Sequence, residues 1–435
     1  MPRTLAALSL LVLALGTTVP RAQIRPAAAE RGGVLPQLFP ADNWWNQDVS
    51  SAPVDARSAQ LIAFINNGGT RRLHPDFGGY ESPGSVNIYG FPFVSVGGAQ
   101  PKRAVQFYYG DESDGVDHAT GRSYAFYPIP DEAIAQPYWI EGGPPGNTAP
   151  GGDRHMLIVD RDNRVLYELF DLAWNGSQWT AGSGAAFDLN ANGRRSEGWT
   201  SADAAGLAIL PGLVRYEEVA SGAEIRHAFR VTVRATNGYV WPASHRAGSN
   251  SQALPMGARL RLKASKDVSG FRPEVQRIFR AMQRYGLLVA DNGSDMLVSG
   301  AFDPRWDNDV LNPAFHSLNA SDFDVIELGW RGTSTPAPTP APTPSPCAPA
   351  GTASPFTVSQ SGRFVVLNWA GVANATDYVV EVGSSAGGTD LLVAPVGPVT
   401  SVSANAPPGR YYVRIRARNS CGSSAASNEV FVAIS

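Results

Sequence analysis

Three side chains in this 435-residue sequence have the chemistry of a proton-transfer site: His155, Glu168 and His227. A carboxylate beside an imidazole fixes the ring tautomer and raises its basicity, which makes a general acid or base. His155 follows Gly151-Gly152-Asp153-Arg154 and opens the apolar run Met156 to Val159; Glu168 lies in a second run, Val165 to Phe170. Asp160-Arg161-Asp162-Asn163 between them is turn chemistry, because Asp and Asn bond locally to the backbone. The stretch therefore reads as a β-hairpin with its chemistry at the open end. Register decides whether the two groups meet. A two-residue loop sets His155 opposite Glu168 on one face. A three-residue loop with Asn163 left-handed sets His155 opposite Leu169 and turns Glu168 away, since one step of register flips every side chain. His227 shares a face with Ile225 and Phe229, where an unpaired polar group costs about 1–3 kcal/mol. The plain alternative is that each histidine is a hydrogen-bonded structural residue.

Two reactions use such groups. Glycoside hydrolysis needs two carboxylates about 5–5.5 Å or 6.5–9.5 Å apart; Glu168, Asp171, Glu141 and Asp203 are the candidates, with Glu168 and Asp171 on opposite faces of a strand. A polysaccharide lyase needs a cation at the uronate and a His or Tyr base, which Arg154, His155 and Tyr167 would supply. Nine of the ten tryptophans precede the proline-rich stretch near residue 340. Trp174, Trp199 and Trp241 stand in or beside loops, where flat rings suit the apolar faces of sugars, and His245 ends the run that holds Trp241. The alternative for any one of them is core filler. Asp188, Asn190 and Asn192, followed by Gly193, copy the opening of a calcium loop, the one cofactor suggested, but Trp199 stands where the bidentate Glu belongs. Asp303, Asp307 and Asp309 form a second oxygen cluster, and for both clusters a solvated turn is the preferred reading.

The elements that must position these groups are mostly strands. Gly (45) and Pro (34) are abundant and apolar stretches short, which favours many strands and turns. Val86 to Val96, Ala104 to Tyr109, Ile225 to Arg234, Arg259 to Leu262, Leu287 to Ala290, Met296 to Ser299 and Val325 to Leu328 read as strands. Tyr124 to Pro130 is extended and its prolines put it at an edge. The clearest helix is Pro273 to Tyr285, stopped by Gly286, with Val275, Ile278, Phe279, Met282 and Tyr285 on one face. A shorter one runs from Ala56 to Ile65 behind Asp55, and Thr200 or Ser201 is placed to cap another beside Asp203.

Charge and cysteine narrow the function. Lys and Arg sum to 35 against 38 Asp and Glu, without the basic bias of a nucleic-acid binder. Residues 1–22 resemble a secretory signal: Arg3, then an apolar run, Leu5 to Leu15, below the roughly 20 residues that span a bilayer. The mature chain is expected to be secreted, extracellular or periplasmic, without membrane insertion. Cys347 and Cys421 are the only cysteines, and an isolated pair in an exported chain is expected to form a disulfide.

Residues 333–349 form a Pro/Thr-rich linker, extended and semi-rigid, between a main domain (35–332) and a C-terminal module (350–435). In the module, Val366-Leu367-Asn368-Trp369, Asp377 to Val382 and Pro408 to Asn419 with its tyrosines resemble a fibronectin type III domain, which implies a β-sandwich spacer or weak attachment module and no catalysis. In the main domain, Phe39-Pro40-Ala41-Asp42-Asn43, Gly152-Asp153-Arg154-His155, Thr200 to Gly206, Tyr239 to Ala243 and Ala290 to Ser294 resemble blocks of a group of secreted bacterial proteins, a resemblance that brings no activity with it.

The expectation is a mainly β protein: a large sandwich or jelly-roll-like domain with a few helices, and a fibronectin-like sandwich. Its expected function is polysaccharide processing, by hydrolysis or lysis, through a His155, Glu168, His227 and Arg154 cluster in a Trp-lined groove, acting on extracellular polysaccharide or cell-wall glycan. A non-catalytic glycan-binding or adhesion protein, and a peptidoglycan or protein hydrolase, are the alternatives.

Overall fold

The computed structural model describes residues 29–148, 151–332, 351–419 and 422–435. The signal-like segment, the linker, Cys347 and Cys421 lie outside them, and with these the expected disulfide. Two compact units divide at Thr333/Ser334, and strands in several sheets dominate both.

The first unit is built on two sheets that share one core. The five-stranded sheet runs Glu30–Arg31, Phe93–Val96, Met156–Asp160, Val165–Phe170 and Ser183–Asp188. The six-stranded sheet runs Phe323–Val325, Arg259–Leu262, Leu287–Asn292, Phe229–Val233, Leu297–Ser299 and His74–Asp76. Leu157, Val159 and Leu166 from the first meet Phe229, Leu260 and Leu287 from the second in the larger core. Met156, Ile158, Tyr167 and Leu169 point the other way, into a second core with Tyr127, Ile129 and Trp179. The Met156–Asp160 strand is thus buried on both faces, which is why it reads as a continuous apolar run.

Four strand pairs are parallel: Phe93–Val96 with Met156–Asp160, Phe229–Val233 with Leu287–Asn292, Leu297–Ser299 with His74–Asp76, and, in a smaller sheet, Val105–Phe107 with Trp179–Ala181. The expected hairpin is present, with a register one residue beyond the longer of the two anticipated. Asp160 pairs with Val165 across a four-residue loop, and Arg164, not Asn163, takes the left-handed conformation at φ 56°. The Asp160 carboxylate accepts the Asn163 backbone N–H at 3.0 Å, the turn chemistry expected of it. Because the slip is by two residues in the sum of pairing partners, the faces are those of the two-residue loop: Glu168 lies opposite Leu157 and shares a face with His155.

The Pro273–Arg284 helix forms as its pattern predicts and buries Val275, Ile278, Phe279 and Met282. The early helix is Ser58–Asn66, starting two residues later than expected because Asp55 accepts the Arg57 N–H in a turn of its own. No helix forms around Asp203; Ser201 Oγ accepts the Asp203 N–H and stabilises a turn instead. Among the described residues no helix is long and apolar enough to cross a membrane.

The second unit is a β-sandwich. Phe356–Ser361, Phe364–Trp369 and Ser401–Asn405 form one sheet; Leu392–Gly397, Asp377–Gly383, Gly409–Asn419 and Gly422–Ser423, with Val430–Ile434, form the other. Trp369 is buried against Phe356 and Tyr378. Tyr411 Oη donates to the Pro407 carbonyl at 2.9 Å, the corner bond that the fibronectin type III resemblance implies.

Candidate functional site

The site grows from one turn. Glu141 donates its backbone N–H to the His155 carbonyl at 2.9 Å, and the His155 backbone N–H returns to Glu141 Oε2 at 3.1 Å. Gly143 makes the turn possible: its φ is 104°, and a Cβ there would lie 1.9 Å from the Val86 carbonyl oxygen. The side chains then meet, with His155 Nδ1 2.6 Å from Glu141 Oε2 and Nε2 2.9 Å from the Ala202 carbonyl. Both ring nitrogens face acceptors, so the bonds are complete only when both carry protons. Burial alone pulls the imidazolium's pKa down, but the Glu141 charge and hydrogen bond outweigh it and raise it to about 9. For Glu141, burial pushes up and His155 pulls down harder, leaving its carboxyl below the usual glutamate value. His155 is 2% exposed and packs against Phe91 and Phe170.

Behind this pair stands Arg230, on the Phe229–Val233 strand. Its Nε and Nη2 donate to the two oxygens of Asp203 at 2.8 Å each, Nη1 donates to Ser299 Oγ at 2.8 Å, and Nη2 reaches Asp291 at 3.0 Å. The guanidinium lies 5.7 Å from the Phe91 ring, so Phe91 touches both Arg230 and His155. Arg230 stays protonated: burial works against the charge, and Asp203 and Asp291 overcome it.

Glu141 and Asp76 line a recess of about 220 Å³ with Gly90, Gly152 and Asp153. Asp76, at the end of its edge strand, is open to solvent at its rim yet set deep enough that desolvation raises its pKa, with Glu141 adding to the rise and Arg230 opposing it. Asp153 also lines a second recess of about 350 Å³, with His155, Asp203, His245, Asp291 and Asn292. His245 is held there by Nδ1 against the Ala204 carbonyl at 2.8 Å.

The residues singled out by sequence divide accordingly. His155, His245 and the candidate carboxylates Glu141 and Asp203 are in the site. Glu168 is not the partner of His155. Its carboxylate accepts the backbone N–H groups of Ile209 and Leu210 at 2.8–3.0 Å, and it is fully buried away from either recess. Burial pushes its pKa up to about 7 against those bonds. His227 belongs to another cluster, bonding Glu218 Oε2 at 3.0 Å beside Arg215; burial would raise Glu218, but Arg215 and His227 hold it down to about 2. Arg154 is buried at the wall of the first recess, and its guanidinium donates to the carbonyls of Glu141, Pro144 and Pro145, so it braces the Glu141 turn.

The tryptophans do not line these recesses. Trp174 meets Trp179 edge-on, Trp199 packs between His118 and the Arg195 guanidinium, and Trp241 meets Trp44 under Arg331. The exposed aromatics at the recesses are Tyr89 and Tyr109. The calcium-like stretch is spent on its own turn: Asp188 Oδ1 accepts from Asn190 twice, and Asn192 bonds Asp42 and Asn43. Among the described residues no three His, Cys, Asp or Glu groups converge as a metal site. Asp303 pairs with Arg305 and Asp307 caps the Asn308–His316 helix.

Asp76, Asp153, Asp291 and Arg230 escaped the sequence reading. Asp153 adjoined a flagged histidine, but Arg230 sits in an alternating strand where an arginine reads as solvent-facing.

No family model matches the chain, and no curated protein matches it. Solved structures similar to it include an Fn3-like protein from Clostridium thermocellum, at 18% identity, TM-score 0.17, over 21% of this chain and 96% of that one. The sixth fibronectin type III domain of human fibronectin type III domain containing protein 3 is similar at 22% identity, TM-score 0.18, over 21% of this chain and 90% of that one. The FN5 domain of Drosophila Lar is similar at 12% identity, TM-score 0.18, over 20% and 96%.

Proposed function

We propose that the first unit is a secreted glycoside hydrolase, with Asp76 as general acid and Glu141 as the ionised carboxylate. The observation that carries this is two carboxyl groups in one recess whose surroundings push their pKa values apart, Asp76 upward and Glu141 downward. Such a split is how an acid and a base coexist at one pH. Asp76 protonates the leaving glycosidic oxygen. Glu141, with Oε2 engaged by His155, offers its other oxygen to the anomeric carbon or to an attacking water. His155, doubly bonded and with a pKa near 9, is a poor base at neutral pH; it positions Glu141 and keeps it charged.

Hydrolysis is favoured over lysis by charge. The two arginines beside the recess, Arg154 and Arg230, are committed to carbonyls and to carboxylates, while Asp153 adds a further negative charge at its wall. This suits a neutral or amino-bearing sugar and disfavours a uronate. The glycan and the catalysis are tested together by incubating the full chain with a panel of neutral, amino and acidic polysaccharides. Reducing ends report hydrolysis and absorbance of unsaturated uronates reports lysis. The expected result is reducing ends from uncharged or amino-bearing polymers, lost in Glu141→Gln. Unsaturated products would replace this reading with a lyase; binding without cleavage would replace it with a glycan-binding protein.

A further inference from the structure

We infer that the glycan is bound across the carboxylates along an open groove, so that cleavage falls inside a polymer chain and not at its end. This rests on the hydrolase reading of the same site. Three recesses follow one another and share walls. The first, about 260 Å³, is bounded by Glu81, Asn87 and Pro144 and shares Tyr89 with the central one. The central recess holds Asp76 and Glu141 and shares Asp153 with the third. The outer two have no lining residue in common, so they open from different walls of the central recess. A site that trims chain ends is walled off beyond the bond it cleaves; here the hollow continues both ways.

Each arm carries what a sugar ring needs. Tyr89 stands 46% exposed where the first recess meets the centre, and Tyr109 stands 55% exposed on the third. Exposed aromatic rings with a polar edge are platforms for the apolar faces of pyranoses. In the third recess His245 is bonded through Nδ1 alone, leaving Nε2 to a ligand, and Asn292 Oδ1 is buried without a hydrogen-bond partner. An unsatisfied buried acceptor calls for a donor, and a sugar hydroxyl is one.

The test uses the full chain with Tyr89→Ala and Tyr109→Ala. Calorimetric affinity is measured for β-1,4-linked glucose and N-acetylglucosamine oligomers of increasing length. On a polymer that is cleaved, viscosity is followed beside reducing ends. The groove predicts affinity that climbs with oligomer length and falls about tenfold in each variant for long oligomers, the loss shrinking for dimers. It also predicts early viscosity loss with long first products. Affinity independent of length, or mono- and disaccharides from the first turnover with both variants unchanged, overturns it. These outcomes separate from those of the hydrolase reading: cleavage only at chain ends leaves that reading and removes this one, whereas length-dependent binding without cleavage removes the hydrolase reading, and internal cleavage with it, and leaves a binding groove alone.

Discussion

At the scale of single residues, the pair Asp76 and Glu141 is expected to act as a unit with His155. General acid–base groups contribute about 10²–10⁴ in rate, so Glu141→Gln is expected to lose at least a hundredfold in kcat with the fold retained. His155→Gln keeps a donor towards Glu141 and removes the charge; it is expected to lower kcat less and to move the acid limb of the pH–rate profile to higher pH, because the His155 charge is the leading influence holding the Glu141 pKa down. A profile that keeps its acid limb in His155→Gln would show that His155 does not set the charge of Glu141. Histidine 155 was legible as a site residue because it stands at a strand end behind two glycines. Glu141 was legible as a candidate carboxylate but not as the partner of His155, since the two are joined by a turn whose closeness depends on Gly143 and Val86. Glu168 looked equivalent in sequence and differs only in meeting backbone N–H groups.

At the scale of elements, the site hangs on the Glu141–Gly143 turn and on the Phe229–Val233 strand. Gly143→Ala places a methyl against the Val86 carbonyl; it is expected to weaken activity and lower the unfolding midpoint together, measured by thermal denaturation beside the assay. Arg230→Met leaves Asp203 buried and unpaired, a change that costs about 3–5 kcal/mol where measured. Arg230→Met with Asp203→Leu is expected to recover part of that loss without recovering activity. Equal stability of the single and double variants would show that the pair carries no buried charge. Strand identity was well written in the sequence: the hairpin, Arg259–Leu262 and the Pro273–Arg284 helix all stand where alternation and helical periodicity put them. Register was not, because a four-residue loop and the two-residue loop give the same faces. Parallel pairing was also hidden, since alternation along a strand says nothing of its neighbour's direction.

At the scale of the whole molecule, two buried groups make stability depend on pH. The folded pKa of His155, about 9, lies above its free value of 6.5, so its contribution is full below pH 6.5 and is lost as pH rises through 9. That of Glu168, about 7, lies above 4.5, so its contribution is full below pH 4.5 and is lost as pH rises through 7. Each is on the order of 3 kcal/mol. Glu218 and Glu141 act in the opposite sense, stabilising above pH 4.5 and losing this as pH falls. The unfolding midpoint of the first unit is therefore expected to fall from about pH 5 towards pH 9, with Glu168→Gln flattening the lower part of that fall; a midpoint flat across the range would contradict the burial of both groups. The division into a β-rich unit and a fibronectin-like sandwich was legible from the Pro/Thr-rich stretch and the Trp369 and Tyr411 patterns. The groove was not, because tryptophans that look like sugar platforms in sequence are packed against Trp44, Trp179 and Arg195, and two tyrosines take the exposed places.

The central claim is that Asp76 delivers the proton to the leaving group. It is tested most directly by comparing kcat/KM of Asp76→Asn on a cleaved glycan and on an aryl oligosaccharide whose leaving group departs without protonation. The structure predicts a loss of about 10²–10⁴ on the glycan and near wild-type rates on the aryl substrate. An equal loss on both, or none on either, would remove Asp76 from the chemistry.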